Sequence, residues 1–172
     1  MRPDMPIEQL VRRMDTRFQL GFGAEACERI PQGDEFALHT SRTGLLVLGR
    51  NEESLVPPVE LLRDIYGEKL HVHPPRIRLI GGVQVKEPIM HVRISLELRF
   101  LDVVARAMLG RGAAPSEEYA RGRYCVLRYE APLVDLLGLH AELARITGGT
   151  AKHWVALSHY ALVTRSPGGD AA

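Results

Sequence analysis

Apolar and polar residues alternate strictly in EPIMHVRIS, residues 87–95: Met90, Val92 and Ile94 are separated by His91, Arg93 and Ser95. A period of two predicts a half-buried strand. ELRFLDVVARAML, residues 97–109, changes to helical spacing and predicts an amphipathic helix with Phe100, Val103, Val104 and Leu109 as its stripe. GRGAAPSEEYARG is turn-rich with room for a short strand, and RYCVLRYEA reads as another strand. PLVDLLGLHAELARIT predicts a helix with Pro132 in its first turn, and AKHWVALSHYALV predicts the last strand. The second half therefore reads strand, helix, strand, strand, helix, strand.

In the first half, Ile7, Leu10, Val11, Met14 and Phe18 recur at helical spacing and predict a helix over 6–19, with Pro6 in its first turn and Asp4 as cap. Residues 20–34 hold Gly21, Gly23, Pro31 and Gly33 and read as a loop with at most a helical turn at AEACERI. EFALHT, SRTG and LLVLGR form a hairpin pattern. SLVPPVELLRDIY predicts a helix with Val59, Leu62 and Ile65 on one side and a stop at Gly67. KLHVHPPRIRLI is strand-like and broken by Pro74-Pro75.

The first half thus repeats the order of the second but lacks its first strand. This order suits an α/β (α+β) protein of two tandem ferredoxin-like plaits, each an antiparallel sheet with helices on one face. The expected domains are an incomplete plait over 1–82, a complete one over 83–164, and a disordered tail over 165–172.

Composition narrows the classes. The 172 residues are 45% hydrophobic with a net charge of +1, which suits a globular protein with no overall field toward nucleic acid or membrane. Lys69, Lys86 and Lys152 are the lysines; every other basic side chain apart from histidine is Arg, whose planar fork suits phosphates and carboxylates. Cys27 and Cys125 lie far apart and suggest neither a disulfide framework nor a zinc knuckle. No apolar run is long enough to span a bilayer, and MRPDMPIEQL lacks the apolar core of a secretory leader. A reducing, cytoplasmic setting is expected.

EPIMHVRI, followed by a helix and APLVDLLGLHAELARITGGTAKHWVALSHY, resembles the C-terminal domain of the elongation factor G superfamily of ribosomal GTPases. The family's Thr-x-Gly-x-Ala turn is matched by Thr147, Gly149 and Ala151, and the Ser158-His159-Tyr160 ending is most similar to BipA-type members. EFALHTSRTGLLVLGR and PPVELLRDIYGEKLHVHPPRIRLI are similar to the family's domain III. The resemblance implies domains III and V adjoining as in BipA and LepA, over roughly residues 6 to 163. The chain departs from the family in having no G-x-x-x-x-G-K-[ST] loop and no β-barrel or tip domain. Asn51-Glu52-Glu53-Ser54 replaces the family's Gly-Glu-Leu-His, and a basic cluster is reduced to Gly110-Arg111-Gly112.

Several residue groups invite a chemical reading. The glycines of Thr147-Gly148-Gly149 follow a helix, where carbonyls face out, so the turn is expected to be structural rather than a phosphate loop. His71-x-His73 offers two imidazoles where metal sites usually need three or four ligands, so no metal is expected. His153 and His159 share one face of the last strand with Val155 and Leu157, taken as inward, and Trp154, Ala156, Ser158 and Tyr160 take the other. Cys125 fits a buried strand centre. Nothing predicts catalysis or a cofactor.

The open side of the second sheet is the candidate RNA-binding face, carrying His91, Arg93, Tyr124 and Arg128. The resemblance implies a non-catalytic, translation-factor-like protein that binds the ribosome or ribosomal RNA at the factor-binding region. The alternatives are a protein-interaction or regulatory module that keeps the fold without the ribosome, and a fragment of a larger translational GTPase. A second protein chain is also a candidate partner, completing the first plait; no membrane partner is expected.

Overall fold

The structure is a computed structural model that describes residues 4–113 and 115–163. The expected disordered tail, 165–172, lies outside the described residues. The chain divides into two compact units between Arg78 and Leu79, shortly before the expected join at Gly81-Gly82.

The first unit runs β1 (Ile7–Arg13), α1 (Gln19–Arg29), β2 (Phe36–Ser41), β3 (Gly44–Gly49), α2 (Val56–Tyr66), β4 (Leu70–Val72) and β5 (Arg76–Ile77). Its sheet has the order β2-β3-β1-β4, with β5 also paired to β1. This corrects the expectation of a missing first strand. The segment read as a helix over 6–19 supplies that strand, paired antiparallel to β3 on one side and to β4 and β5 on the other. The sheet is completed from within the chain, so the vacancy that a second chain would fill is not there.

The physical reason lies in Gln9. Met5, Ile7 and Val11 are buried on the helix side, a period of two that a polar residue at position 9 hides. Gln9 is tolerated because its Nε2 donates to the carbonyl of His73 at 2.8 Å. Met14 and Phe18, counted above as helix-face residues, are exposed.

The loop expected over 20–34 is mostly helix α1. Gln19 ties it to β1: its Nε2 donates to the carbonyls of Arg13 and Thr16, at 2.8 and 2.7 Å, and its Oε1 accepts from Arg13 N–H. Gly23 lets the helix approach β2, since a Cβ there would lie 2.9 Å from Thr40 Cγ2. Before α2, Ser54 N–H donates to Asn51 Oδ1 and Asn51 N–H to Ser54 Oγ, a reciprocal pair that orders the helix entry. The residues that depart from the family's Gly-Glu-Leu-His thus have a structural role of their own.

The second unit runs β6 (Lys86–Glu97), α3 (Leu101–Gly110), β7 (Pro115–Arg121), β8 (Tyr124–Pro132), α4 (Leu133–Leu136), α5 (Leu139–Thr147) and β9 (Lys152–Leu162). Its sheet order is β7-β8-β6-β9, the same plan as the first. Both units are ferredoxin-like plaits in a mixed α/β chain. Met90, Val92, Ile94 and Leu96 of β6 and Cys125, Leu127, Tyr129 and Ala131 of β8 are buried under the helices. The stripe of α3 differs from the expected one: Val104 and Met108 are buried, one turn apart, and Leu109 is exposed. Among the described residues, no helix is long and apolar enough to cross a membrane.

Candidate nucleic-acid interface

Because β6 alternates so regularly, burying Met90, Val92 and Ile94 forces His91 and Arg93 onto the side without helices. Antiparallel register then fixes their neighbours. Arg93 stands opposite Arg128 of β8 and Trp154 of β9, and Arg128 stands opposite Glu117 of β7. One row, Glu117, Arg128, Arg93, Trp154, therefore crosses all four strands. A concavity of about 690 Å³ lies over it, lined by His91, Arg93, Ser116, Glu117, Arg128 and Trp154.

Parallel rows flank this one. His91 stands between Glu130 and Ala156, and Ser95 between Val126 and Lys152. Tyr119 stands beyond Val126, and Tyr124 sits between Arg121 and Glu97. The four residues picked from the sequence, His91, Arg93, Tyr124 and Arg128, thus share one exposed face. Sequence reasoning missed Trp154, Tyr119 and Lys152. Trp154 was assigned to its correct face of β9 but not joined to Arg93, because pairing register is not visible in a single strand.

The aromatic side chains on this face are unburied: Trp154 is 58% exposed, Tyr119 64% and Tyr124 63%. Exposed aromatic rings interleaved with cations make a surface on which bases stack and phosphates pair. The cations are not equivalent. Arg128 Nη1 is 2.9 Å from Glu117 Oε2, both side chains being exposed. The side chain of Arg93 makes no hydrogen bond or ion pair with any described residue. An exposed pair such as Arg128–Glu117 costs little to open, so both arginines can serve an anion, Arg93 the more readily.

The far end of the face holds a polar cluster. Ser158 Oγ donates to Glu130 Oε1 at 2.8 Å, and Nδ1 of His159 and of His91 lie 3.5 and 3.9 Å from the same oxygen. His159 was expected on the face opposite Trp154. A bulge moves it: Ile89 pairs with His159 but Met90 with Leu157, leaving Ser158 as the extra residue. Val155 and Leu157, half-buried, pair with the buried Val92 and Met90 on the helix side.

This cluster is not arranged for hydrolysis. A Ser-His-acid relay needs hydroxyl and carboxylate at opposite ring nitrogens, whereas here both Ser158 and Glu130 meet Nδ1 of His159. Cys125 is buried, and burial together with Glu118 raises its thiol pKa, which disfavours the nucleophilic thiolate.

The turn after α5 is built for chain reversal. Gly148 (φ 62°) and Gly149 (φ 76°) are both left-handed, and Gly149 N–H donates to the carbonyl of Ala144 at 2.8 Å. Thr147 Oγ1 donates to Leu143 O at 2.7 Å and accepts from Ala151 N–H at 3.2 Å. Arg111, the cation left where the resemblance implies a basic cluster, is also committed internally. Its Nη1 donates to the carbonyls of Asp135 and Leu137, at 2.7 and 2.9 Å, and its Nη2 lies 2.6 Å from Glu142.

The family model described as elongation factor G C-terminus matches residues 84–169, half of the 172-residue chain. No curated protein matches the chain.

Proposed function

The chain belongs to the elongation factor G C-terminus family, and from that premise we propose that it binds the ribosome, or ribosomal RNA, through the open face of its second sheet. It carries a translation-factor-like domain. On this reading it acts in the cytoplasm by binding alone, as a non-catalytic factor that does not hydrolyse GTP and needs no cofactor.

The observation that carries the reading is the transverse row Glu117, Arg128, Arg93, Trp154. Arg93, unpaired among described residues, stands between a second arginine and an exposed indole. A phosphate on Arg93 and a base on Trp154 are recognised by different physics, charge-assisted hydrogen bonding and stacking. The two contributions should therefore be separable by mutation.

Ribosome co-sedimentation of Trp154→Ala tests this. Stacking is worth about 1–3 kcal/mol per base, so the variant should bind roughly 5- to 150-fold more weakly at every salt concentration. Binding equal to that of the parent chain would remove Trp154 from the interface.

A further inference from the structure

A second set of basic groups, which the proposed function leaves unused, lies on the open face of the first sheet. Arg12 of β1 stands opposite His71 of β4. His73 follows on the same edge, its backbone N–H donating to Leu10 O at 2.9 Å. The rings of His71 and His73 meet edge to face with centroids 4.5 Å apart. Past Pro74-Pro75, Arg76 stands opposite Glu8, which alternation along β1 puts on the same face as Arg12.

No hydrogen bond or ion pair joins the side chains of Arg12, His71, His73 or Arg76 to a described residue. The acid on this face, Glu8, is taken by Arg78, whose Nε lies 3.5 Å away. On the other face, Arg13 of the same strand has both Asp15 and Glu25 as partners. The chain has 21 acidic and 22 basic residues, so the lack of a counter-charge here is local and not imposed by composition. His73 Nε2 is buried without a partner, and desolvation, His71, Arg12 and Arg76 together lower the pKa of its ring.

We propose that Arg12, His71 and Arg76 form a binding site for a phosphate group, with His73 as its floor. All three contacting side chains are exposed. They hang from paired strands, which fixes their spacing before the ligand arrives. Two guanidinium forks and an imidazole N–H supply directed donors that a phosphate's oxygens satisfy. A metal cation is disfavoured, since arginines flank His71 and His73, and two imidazoles are fewer ligands than metal sites require. The ligand is either free phosphate or a phosphodiester of RNA, which share this chemistry. The site lies in the other unit and does not depend on the role of Arg93 or Trp154.

The test follows the imidazole signals of the full chain by NMR while inorganic phosphate, or a short single-stranded RNA, is added at low salt. Either probe should shift the His71 and His73 signals and raise the titration midpoint of His73. Arg12→Gln combined with Arg76→Gln should weaken that response at least tenfold. A response to phosphate as strong as that to RNA assigns a small-anion site; a response to RNA alone assigns a phosphodiester site. Still signals with both probes in the unmutated chain would overturn the proposal. So would an undiminished response in the double variant. The measurement on the unmutated chain decides the matter even if the variant folds poorly.

Discussion

Arg93 and Trp154 stand directly opposite each other on β6 and β9, and both project from the helix-free face of the second sheet. Their pairing brings a cation and a flat aromatic surface into cross-strand contact range. Glu117, the acid of the same row, lies two strands away and is engaged by Arg128. Glu117→Gln should therefore free Arg128 and tighten RNA binding by a fewfold at low salt, with the melting temperature nearly unchanged. Binding that weakens in this variant would mean that Glu117 itself meets the partner.

The chain should neither bind nor hydrolyse GTP. No G-x-x-x-x-G-K-[ST] segment occurs in it, and the glycines of Thr147-Gly148-Gly149 follow a helix instead of opening one. Calorimetric titration of the purified chain with GTP should show no saturable heat. A saturable isotherm would refute this expectation.

Replacing Gly148 or Gly149 with Val should destabilise the second unit. Both have positive φ, and the left-handed region costs a side-chain-bearing residue about 1–2 kcal/mol, more when it is β-branched. Thermal melts of the two variants check this. Unchanged melting in both would mean that the turn tolerates another conformation.

Gly23→Ala should also destabilise, although alanine favours helix by about 1 kcal/mol. Its Cβ would sit 2.9 Å from Thr40 Cγ2, and overpacking of this kind costs about 1–3 kcal/mol. Thr40→Ser removes the obstructing methyl, so the double variant should recover most of the loss. A double variant no more stable than Gly23→Ala would place the strain elsewhere.

These glycines show where the sequence was legible. β6 and β8 were readable because each buries one face against helices and exposes the other, so alternation survives intact. β1 was not, because Gln9 occupies an inward position through a hydrogen bond to a residue sixty-four positions away. α1 was hidden by Gly21 and Gly23, of which Gly23 reflects close approach to β2, a tertiary constraint. On the candidate face, His91, Arg93, Tyr124 and Arg128 followed from parity alone. Their alignment with Trp154, and the transfer of His159 to their side, depend on inter-strand register and on a bulge, which no local pattern encodes.

Stability should depend on pH through His73. Its folded pKa lies below the ordinary value of 6.5, because the ring is desolvated beside His71, Arg12 and Arg76. Below pH 6.5 the unfolded chain therefore binds more protons than the folded one. The contribution of neutral His73 is complete above that pH and is lost as pH falls toward the lowered folded value. Denaturant unfolding at about pH 7.5 and about pH 5.5 should show a larger loss for the parent chain than for His73→Gln. Equal losses would contradict the assignment.

The most direct test of the RNA reading is the salt dependence of ribosomal RNA binding by Arg93→Ala, measured beside its melting curve. Each phosphate contact contributes about 0.7–0.9 to the slope of log affinity against log salt concentration. The slope should be shallower by about that amount, with a melting curve like the parent's, because Arg93 points away from the core formed by Met90, Val92 and Ile94. An unchanged slope with a lowered melting temperature would contradict it and make Arg93 a structural residue.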